Sequence, residues 1–197
     1  MLPDPGREFD MATTQSASGT TTQFVRRFMG ALALDPATFE DVEADRTAGG
    51  QAALVVLLTC LAGGLAVAGS SQLNVTMFIA GLTATLGAWV VWALLITTIG
   101  TLVVPEPTTS SRPAELLRTM GFAAAPGVFL AFGAMRAVAP FVVALATLWM
   151  VAATVLAVRQ ALDYRSMGRA VAVCVAAGLV AFGMVAVAGL LFARPVS

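Results

Sequence analysis

Five long apolar stretches alternate along the chain with short polar segments that carry most of its charged side chains. The apolar stretches are predicted membrane spans, at about 51–69, 75–104, 119–135, 138–158 and 170–192. The first has 19 uncharged residues, and at ~1.5 Å per residue such a helix covers about 28 Å, close to a ~30 Å hydrocarbon core. Because these runs are too long and too uniformly apolar for barrel strands, the predicted fold class is all-α, a polytopic bundle of five transmembrane helices.

Two of the five spans depart from the usual length. The 30 residues of 75–104 exceed what a bilayer core needs, so this helix must tilt or protrude. The stretch 119–135 has only 17 residues and contains Pro126. Its flanking Arg118 and Arg136 can extend toward the interfaces to compensate for the short length. A re-entrant stretch is the alternative to a full third crossing.

The spans form one predicted domain, residues 50–193, preceded by two different N-terminal segments. Residues 1–21 are rich in Ser, Thr, Gly and Pro without periodicity, which predicts a disordered tail. Residues 22–49 are predicted to form a cytoplasmic amphipathic helical segment. Within it, Asp35 and Pro36 predict the N-cap and the first position of a second helix.

The first of these two helices has apolar residues at helical spacing, namely Phe24, Val25, Phe28, Met29 and Leu32. Arg26 and Arg27 lie on its other side. Such a helix suits the membrane interface, where arginines meet anionic headgroups. It also suits packing on the protein's own cytoplasmic face, and the sequence leaves both readings open.

Composition supports the membrane assignment and removes most catalytic chemistry. The chain is 58% hydrophobic and 11% charged, whereas a soluble domain is roughly 25% charged. Histidine and lysine are absent, and no acid lies within the predicted spans. Metal ligands, a general base and a proton-carrying group at mid-membrane depth are therefore lacking. We expect no catalytic, cofactor-binding or metal-binding residues, and a protein that is not an enzyme.

The two cysteines, Cys60 and Cys174, lie in different predicted spans. Their positions predict depths that differ by about 8 Å, while a disulfide needs Cα atoms within about 7 Å. Both are predicted to be small buried side chains without a disulfide. The many glycines and alanines of the spans favour a compact intramolecular bundle over a dimerisation face.

Arginine placement predicts the orientation in the membrane. With five spans and a cytoplasmic N-terminus, nine arginines lie inside and two outside, which places the C-terminus outside a cell membrane. The candidate contact residues for a partner or a lipid on the cytoplasmic face are Arg26, Arg27, Arg112, Arg118, Arg159, Arg165 and Arg169. The alternative is that these arginines enforce topology and form solvated ion pairs with nearby acids.

Several short motifs resemble a known family in their order and spacing. Pro36-Ala37-Thr38-Phe39 precedes the spans, the third span carries RTMGFAAAP from Arg118 to Pro126, and VRQALDY runs from Val158 to Tyr164 after Trp149. Over roughly residues 28–192 the chain resembles the Yip family of five-span membrane proteins, in its bacterial branch. Eukaryotic members associate with prenylated Rab GTPases in vesicle trafficking. A bacterium lacks those partners, so the resemblance implies the topology and a non-catalytic membrane module.

Two functional hypotheses follow. The first is a scaffold or adaptor of a bacterial inner membrane that holds membrane proteins or lipids through its arginine-rich cytoplasmic face. The alternative is a transporter or permease subunit that uses Pro126 and Pro140 as breaks in the bundle, which requires a wet polar cavity. The expected partners are membrane lipids, other membrane proteins or further copies of the chain, and not nucleic acid.

The topology is tested by cysteine accessibility in intact cells, on a variant without Cys60 and Cys174. Single cysteines are introduced in the predicted connections and at the C-terminus, at Ser71, Ser110, Ala137, Ser166 and Ser197. We expect labelling from outside at 71, 137 and 197 only. Labelling at 166 instead of 197 would show that the third stretch is re-entrant.

Overall fold

The computed structural model describes residues 5–69, 74–103 and 113–192, and every regular element in them is helical. The α-helices are α1 Pro5–Leu32, α2 Pro36–Ala44, α3 Gly49–Gly69, α4 Val75–Thr98, α5 Pro113–Ala123, α6 Ala139–Ala161 and α7 Met167–Phe192. Three tighter or wider segments adjoin them: a 3₁₀ turn at Arg46–Ala48 before α3, a π-helical turn at Ile99–Val103 after α4, and a 3₁₀ helix at Ala125–Ala134 after α5.

Five segments are long and apolar enough to cross a membrane, which confirms the predicted fold class. They are Arg46–Gly69, Val75–Leu102, Pro113–Ala134, Ala139–Ala161 and Met167–Met184. The chain is therefore a multi-pass membrane protein. The third span begins at Pro113, six residues before the predicted start at 119.

The third span is built from α5 and the 3₁₀ helix that follows it. Pro126 has no N–H to donate, so regular α-helical bonding stops before it. The 3₁₀ helix rises ~2.0 Å per residue against ~1.5 Å in an α-helix, so a short apolar stretch reaches further. Of the candidate spans, this one is the most buried inside the protein, with 61% of its most apolar part buried. It therefore occupies the centre of the bundle, packed against α3 and α6.

Helix α1 begins earlier than the predicted amphipathic helix. It begins at Pro5 and so includes most of residues 1–21, for which disorder was predicted. Proline fits the first helical position, and no further proline interrupts the helix before its end. Near the other end, Phe24, Phe28 and Leu32 pack on the core. This part of the helix therefore packs on the protein itself, while Val25 and Met29 of the same helix are exposed.

Helix α2 begins as the sequence predicts. The carboxylate of Asp35 accepts hydrogen bonds from the backbone N–H of Ala37, at 3.2 Å, and from the Thr38 hydroxyl, at 2.9 Å, with Pro36 at the first helical position.

The cysteines also match expectation, since Cys60 and Cys174 are both buried and unpaired.

Helices α3 and α4 approach closely through glycines. A Cβ atom added at Gly81 of α4 would lie 2.8 Å from Cβ of Val67 and 3.0 Å from the carbonyl oxygen of Gly63, both on α3. Within lipid, helices associate mainly through such close van der Waals contact. Gly87, two turns further along α4, has no atom within 4 Å of an added Cβ.

These two glycines make a matched test of the packing. Gly81→Ala should destabilise the protein by about 1–3 kcal/mol, because the added methyl group overpacks the contact with α3. Gly87→Ala should be neutral or stabilising by up to about 1 kcal/mol, since alanine favours the helix. Unfolding by denaturing detergent in mixed micelles measures both, and equal stabilities would contradict the close α3–α4 contact.

Candidate functional site

Those of the predicted contact arginines that the structure describes belong to one end of the bundle, here called the α2 end. It comprises α2, the C-terminal part of α1, the first turns of α3 and α5, and the connection between α6 and α7. The structure divides these arginines into two groups. Some hold the N-terminal helices on the bundle, and others lie at the surface.

Arg27 is a buried structural residue. Its side chain is 1% exposed; its Nε donates to Asp41 Oδ2 at 2.8 Å and its Nη2 to Asp45 Oδ2 at 2.8 Å. Its Nη1 donates to Gln51 Oε1 at 3.0 Å, so one guanidinium joins α1, α2 and α3. Burial alone would lower the pKa of Arg27, but the hydrogen bonds and charges of the two aspartates raise it overall.

Arg27, one of the predicted contact residues for a partner or a lipid, is therefore engaged in contacts within the protein. Its donors are used inside the protein, because the three α1–α3 elements converge on it. Arg26, its neighbour, behaves differently. Its side chain is 70% exposed and lies 3.3 Å from Asp41 Oδ2, a surface ion pair that leaves the guanidinium accessible.

Arg118 also binds the protein's own backbone. Its Nη2 donates to the carbonyl oxygen of Glu43 at 2.6 Å, and its Nε to that of Val42 at 3.4 Å. These carbonyls belong to the last turn of α2, where helical partners are lacking. Arg118 thus attaches the end of α2 to α5, and part of its bonding capacity is used for that.

Two further side chains attach the N-terminal helices, and the sequence analysis did not identify them. The indole Nε1 of Trp149 donates to the carbonyl oxygen of Leu32 at 3.0 Å, and Nε2 of Gln160 donates to Glu40 Oε1 at 2.6 Å. Both donors are on α6. The available signal was that a buried indole N–H needs an acceptor, but nothing in the sequence indicates which one.

The remaining predicted arginines define what we call the 159–169 surface, formed by Arg159, Arg165 and Arg169. Arg165 and Arg169 are exposed. The Nε of Arg159 is buried and has no acceptor among the described residues. Arg112 lies outside the described residues.

A polar recess of about 410 Å³ opens at the α2 end, lined by Glu40, Glu43, Ala44, Arg46, Glu115 and Arg118. Burial raises the pKa of Glu43 to about 7, and the negative charges of Asp163 and Glu115 add to this while Arg118 opposes it. By contrast, hydrogen bonds from Thr47 and then Arg27 lower the pKa of Asp45 to about 2. Glu43 is therefore a desolvated carboxyl group without a compensating cation close enough to keep it fully ionised at neutral pH.

A second cavity, of about 580 Å³, lies among the spans and is almost entirely apolar. Four threonines line it, and the hydroxyls of three donate to backbone carbonyls: Thr59 to Ala124, Thr85 to Gly81 and Thr154 to Met150, each at 2.8 Å. The walls therefore present mainly hydrocarbon. In the part of the chain that the structure describes, no three acidic, cysteine or histidine side chains are placed to hold a metal ion.

Adjacent arginines provide a matched test of the buried ion pairs. Arg27→Met should lower the free energy of unfolding by about 1–3 kcal/mol, because it removes the buried donor that bonds two partly buried carboxylates at 2.8 Å. Arg26→Met should change it by less than about 0.5 kcal/mol. Thermal unfolding in detergent compares the two variants, and similar losses would show that Arg27 is not the stabilising residue.

Comparison with known proteins identifies the family. A model of the Yip1 domain matches residues 29–188. No curated protein and no solved structure matches the chain. The matched region begins within α1 and includes all five candidate spans, and the family is not known for enzymatic activity. The chain therefore belongs to the Yip family of multi-pass membrane proteins.

Proposed function

We propose that this protein is a non-enzymatic scaffold or adaptor that holds other membrane proteins or lipids through the 159–169 surface. The protein then lies in a cell membrane with the α2 end on the cytoplasmic side and the C-terminus outside, as the arginine distribution indicates. The observation that carries the proposal is the buried Nε of Arg159, which has no acceptor among the described residues and belongs to the same stretch of the chain as the exposed Arg165 and Arg169. A buried donor of this kind favours an incoming acceptor.

The connection that presents these arginines is held in one conformation. The Tyr164 hydroxyl donates to the carbonyl oxygen of Gly100 at 3.0 Å, and Leu162 is fully buried. The backbone N–H of Tyr164 donates to the carbonyl oxygen of Arg159 at 3.0 Å. A preorganised surface loses less conformational entropy when an acidic segment or an anionic headgroup binds.

The cavity among the spans does not favour the transporter alternative. A transport route needs polar groups that replace the hydration of the substrate, and three of the four threonine hydroxyls in this cavity are already bonded to carbonyls. Its hydrocarbon walls suit lipid chains and packing. We therefore place the interaction function at the α2 end.

The test removes the three arginines together and leaves the spans intact. A variant with Arg159→Gln, Arg165→Gln and Arg169→Gln should lose roughly a hundredfold in affinity for anionic vesicles, at about 1 kcal/mol per arginine. Membrane proteins cross-linked to the wild type in cells should be lost in parallel.

The matched control is Arg136→Gln, which removes an exposed arginine from the opposite end of the bundle. It should leave vesicle binding and cross-linked partners unchanged. Cysteine labelling at position 197 verifies that the triple variant keeps its orientation. Unchanged partners and lipids in the correctly oriented triple variant would refute the proposal.

A further inference from the structure

A groove of about 530 Å³ lies between α3, α4 and α5, separate from the 159–169 surface. It follows α3 from Gly49 to Cys60, and its opposite wall includes Leu82, Leu86 and Trp89 of α4. At ~1.5 Å per residue, this stretch of α3 covers about 16 Å. That is half of a ~30 Å hydrocarbon core, the depth of one leaflet.

The groove ends in charged residues at the α2 end. Arg46 and Arg118 line both the groove and the polar recess, so the two cavities meet at these guanidinium groups. Arg46 is exposed and has no ion-pair partner among the described residues. The bonds of Arg118 to α2 use its Nε and Nη2, which leaves Nη1 for another acceptor.

Beyond the arginines, the recess presents carboxylates. Glu40, Glu43 and Glu115 line it together with the two arginines. From mid-membrane outward, the order of chemistry is hydrocarbon, then guanidinium, then carboxylate. A phosphatidylethanolamine molecule has the complementary order of acyl chain, phosphate and ammonium.

We propose that this groove is a binding site for phosphatidylethanolamine. One acyl chain lies along α3 toward Trp89, the phosphate accepts hydrogen bonds from Arg46 and Arg118, and the ammonium group donates to the carboxylates of the recess. The site is independent of the proposed adaptor surface, because the two share no residue.

The carboxylates decide between headgroups. An anionic lipid such as phosphatidylglycerol would satisfy the arginines but would bring no cation to the glutamates. Phosphatidylcholine has a cation, but its methylated nitrogen has no N–H to donate. The ethanolamine ammonium supplies both charge and donors, and charge-assisted hydrogen bonds of this kind are the strong ones.

The direct test uses the full chain purified in detergent micelles. Each of the three lipids is added separately, with dibrominated acyl chains that quench nearby tryptophan fluorescence. The signal is the quenching that Trp89→Phe removes, which isolates the tryptophan in the groove. Half-saturation should occur at about tenfold lower phosphatidylethanolamine than phosphatidylcholine or phosphatidylglycerol, the equivalent of one charge-assisted hydrogen bond.

Adjacent glycines provide the matched variants. An added Cβ has no atom within 4 Å at Gly49 or at Gly50, but only Gly49 lines the groove. Gly49→Leu should block the groove, so that half-saturation of the quenching requires about tenfold more phosphatidylethanolamine. Gly50→Leu should leave that concentration unchanged. Both substitutions favour the helix, so loss of folding does not explain a difference.

Charge variants assign the headgroup contacts. Arg46→Gln should weaken the binding of all three lipids, because each has a phosphate. Glu43→Gln should weaken the binding of phosphatidylethanolamine alone, so that the protein's preference for it over phosphatidylglycerol becomes smaller. In the wild type, its affinity should rise as the pH passes through 7, because ionised Glu43 attracts the ammonium group. The charged groups around Glu43 are Glu40, Arg46, Glu115, Arg118 and Asp163.

Two results would overturn the assignment. Equal quenching by the three lipids, with Gly49→Leu like the wild type, would mean that only annular lipid contacts Trp89. A preference for phosphatidylglycerol that depends on Arg46 would mean that the groove selects an anionic lipid. Neither result depends on the 159–169 surface, so the proposed adaptor function stands or fails separately.

Discussion

The close approach of α3 to the central third span is the contact on which the rest of the bundle depends. Lipid chains are as apolar as the helix surfaces, so helices in a membrane are held together by van der Waals contact and hydrogen bonds. A Cβ added at Gly121 would lie 2.8 Å from Cβ of Ala52, and the Thr59 hydroxyl donates to the carbonyl oxygen of Ala124 at 2.8 Å. This bond adds a donor where α5 changes to a 3₁₀ helix. Helices α4, α6 and α2 pack on this central pair, and α7 packs on α4 and α6.

The N-terminal helices are held on this bundle by donors from several elements. Arg27, Arg118, Trp149 and Gln160 each donate to a group on α2 or at the end of α1. The bonds of Arg27, Arg118 and Trp149 are partly buried and so partly shielded from competing water, whereas the bond of Gln160 is exposed. The α2 end is thus an assembled surface of the membrane domain, and it brings Glu40 and Glu43 next to Glu115 of the third span.

Arginines that lie on the same side of the membrane have different roles in this protein. Arg26 and Arg27 are neighbours in sequence, yet one is 70% exposed and the other 1%. Successive residues on a helix point about 100° apart, so adjacent side chains face different surroundings. In our two proposals, the 159–169 surface holds partners, and Arg46 with Arg118 binds the headgroup of the lipid in the groove. Both proposals place the chemistry of this protein at one end of an otherwise apolar bundle.

The pattern of apolar stretches is enough to indicate that the chain lies in a lipid bilayer, and the bilayer restricts the fold class. Five uncharged stretches of sufficient length can satisfy their backbone groups within a bilayer only as helices, and the family motifs follow the same order. The sequence also determined local features such as the Asp35 cap, because a cap depends on residues a few positions apart. The burial of Arg27 and the packing of α1 on the protein become visible only in the folded chain. The same is true of the two arginines that line both the groove and the recess with its three glutamates. Those results depend on contacts between helices far apart in sequence, and apolar spans pack in many registers that a hydrophobic pattern does not distinguish.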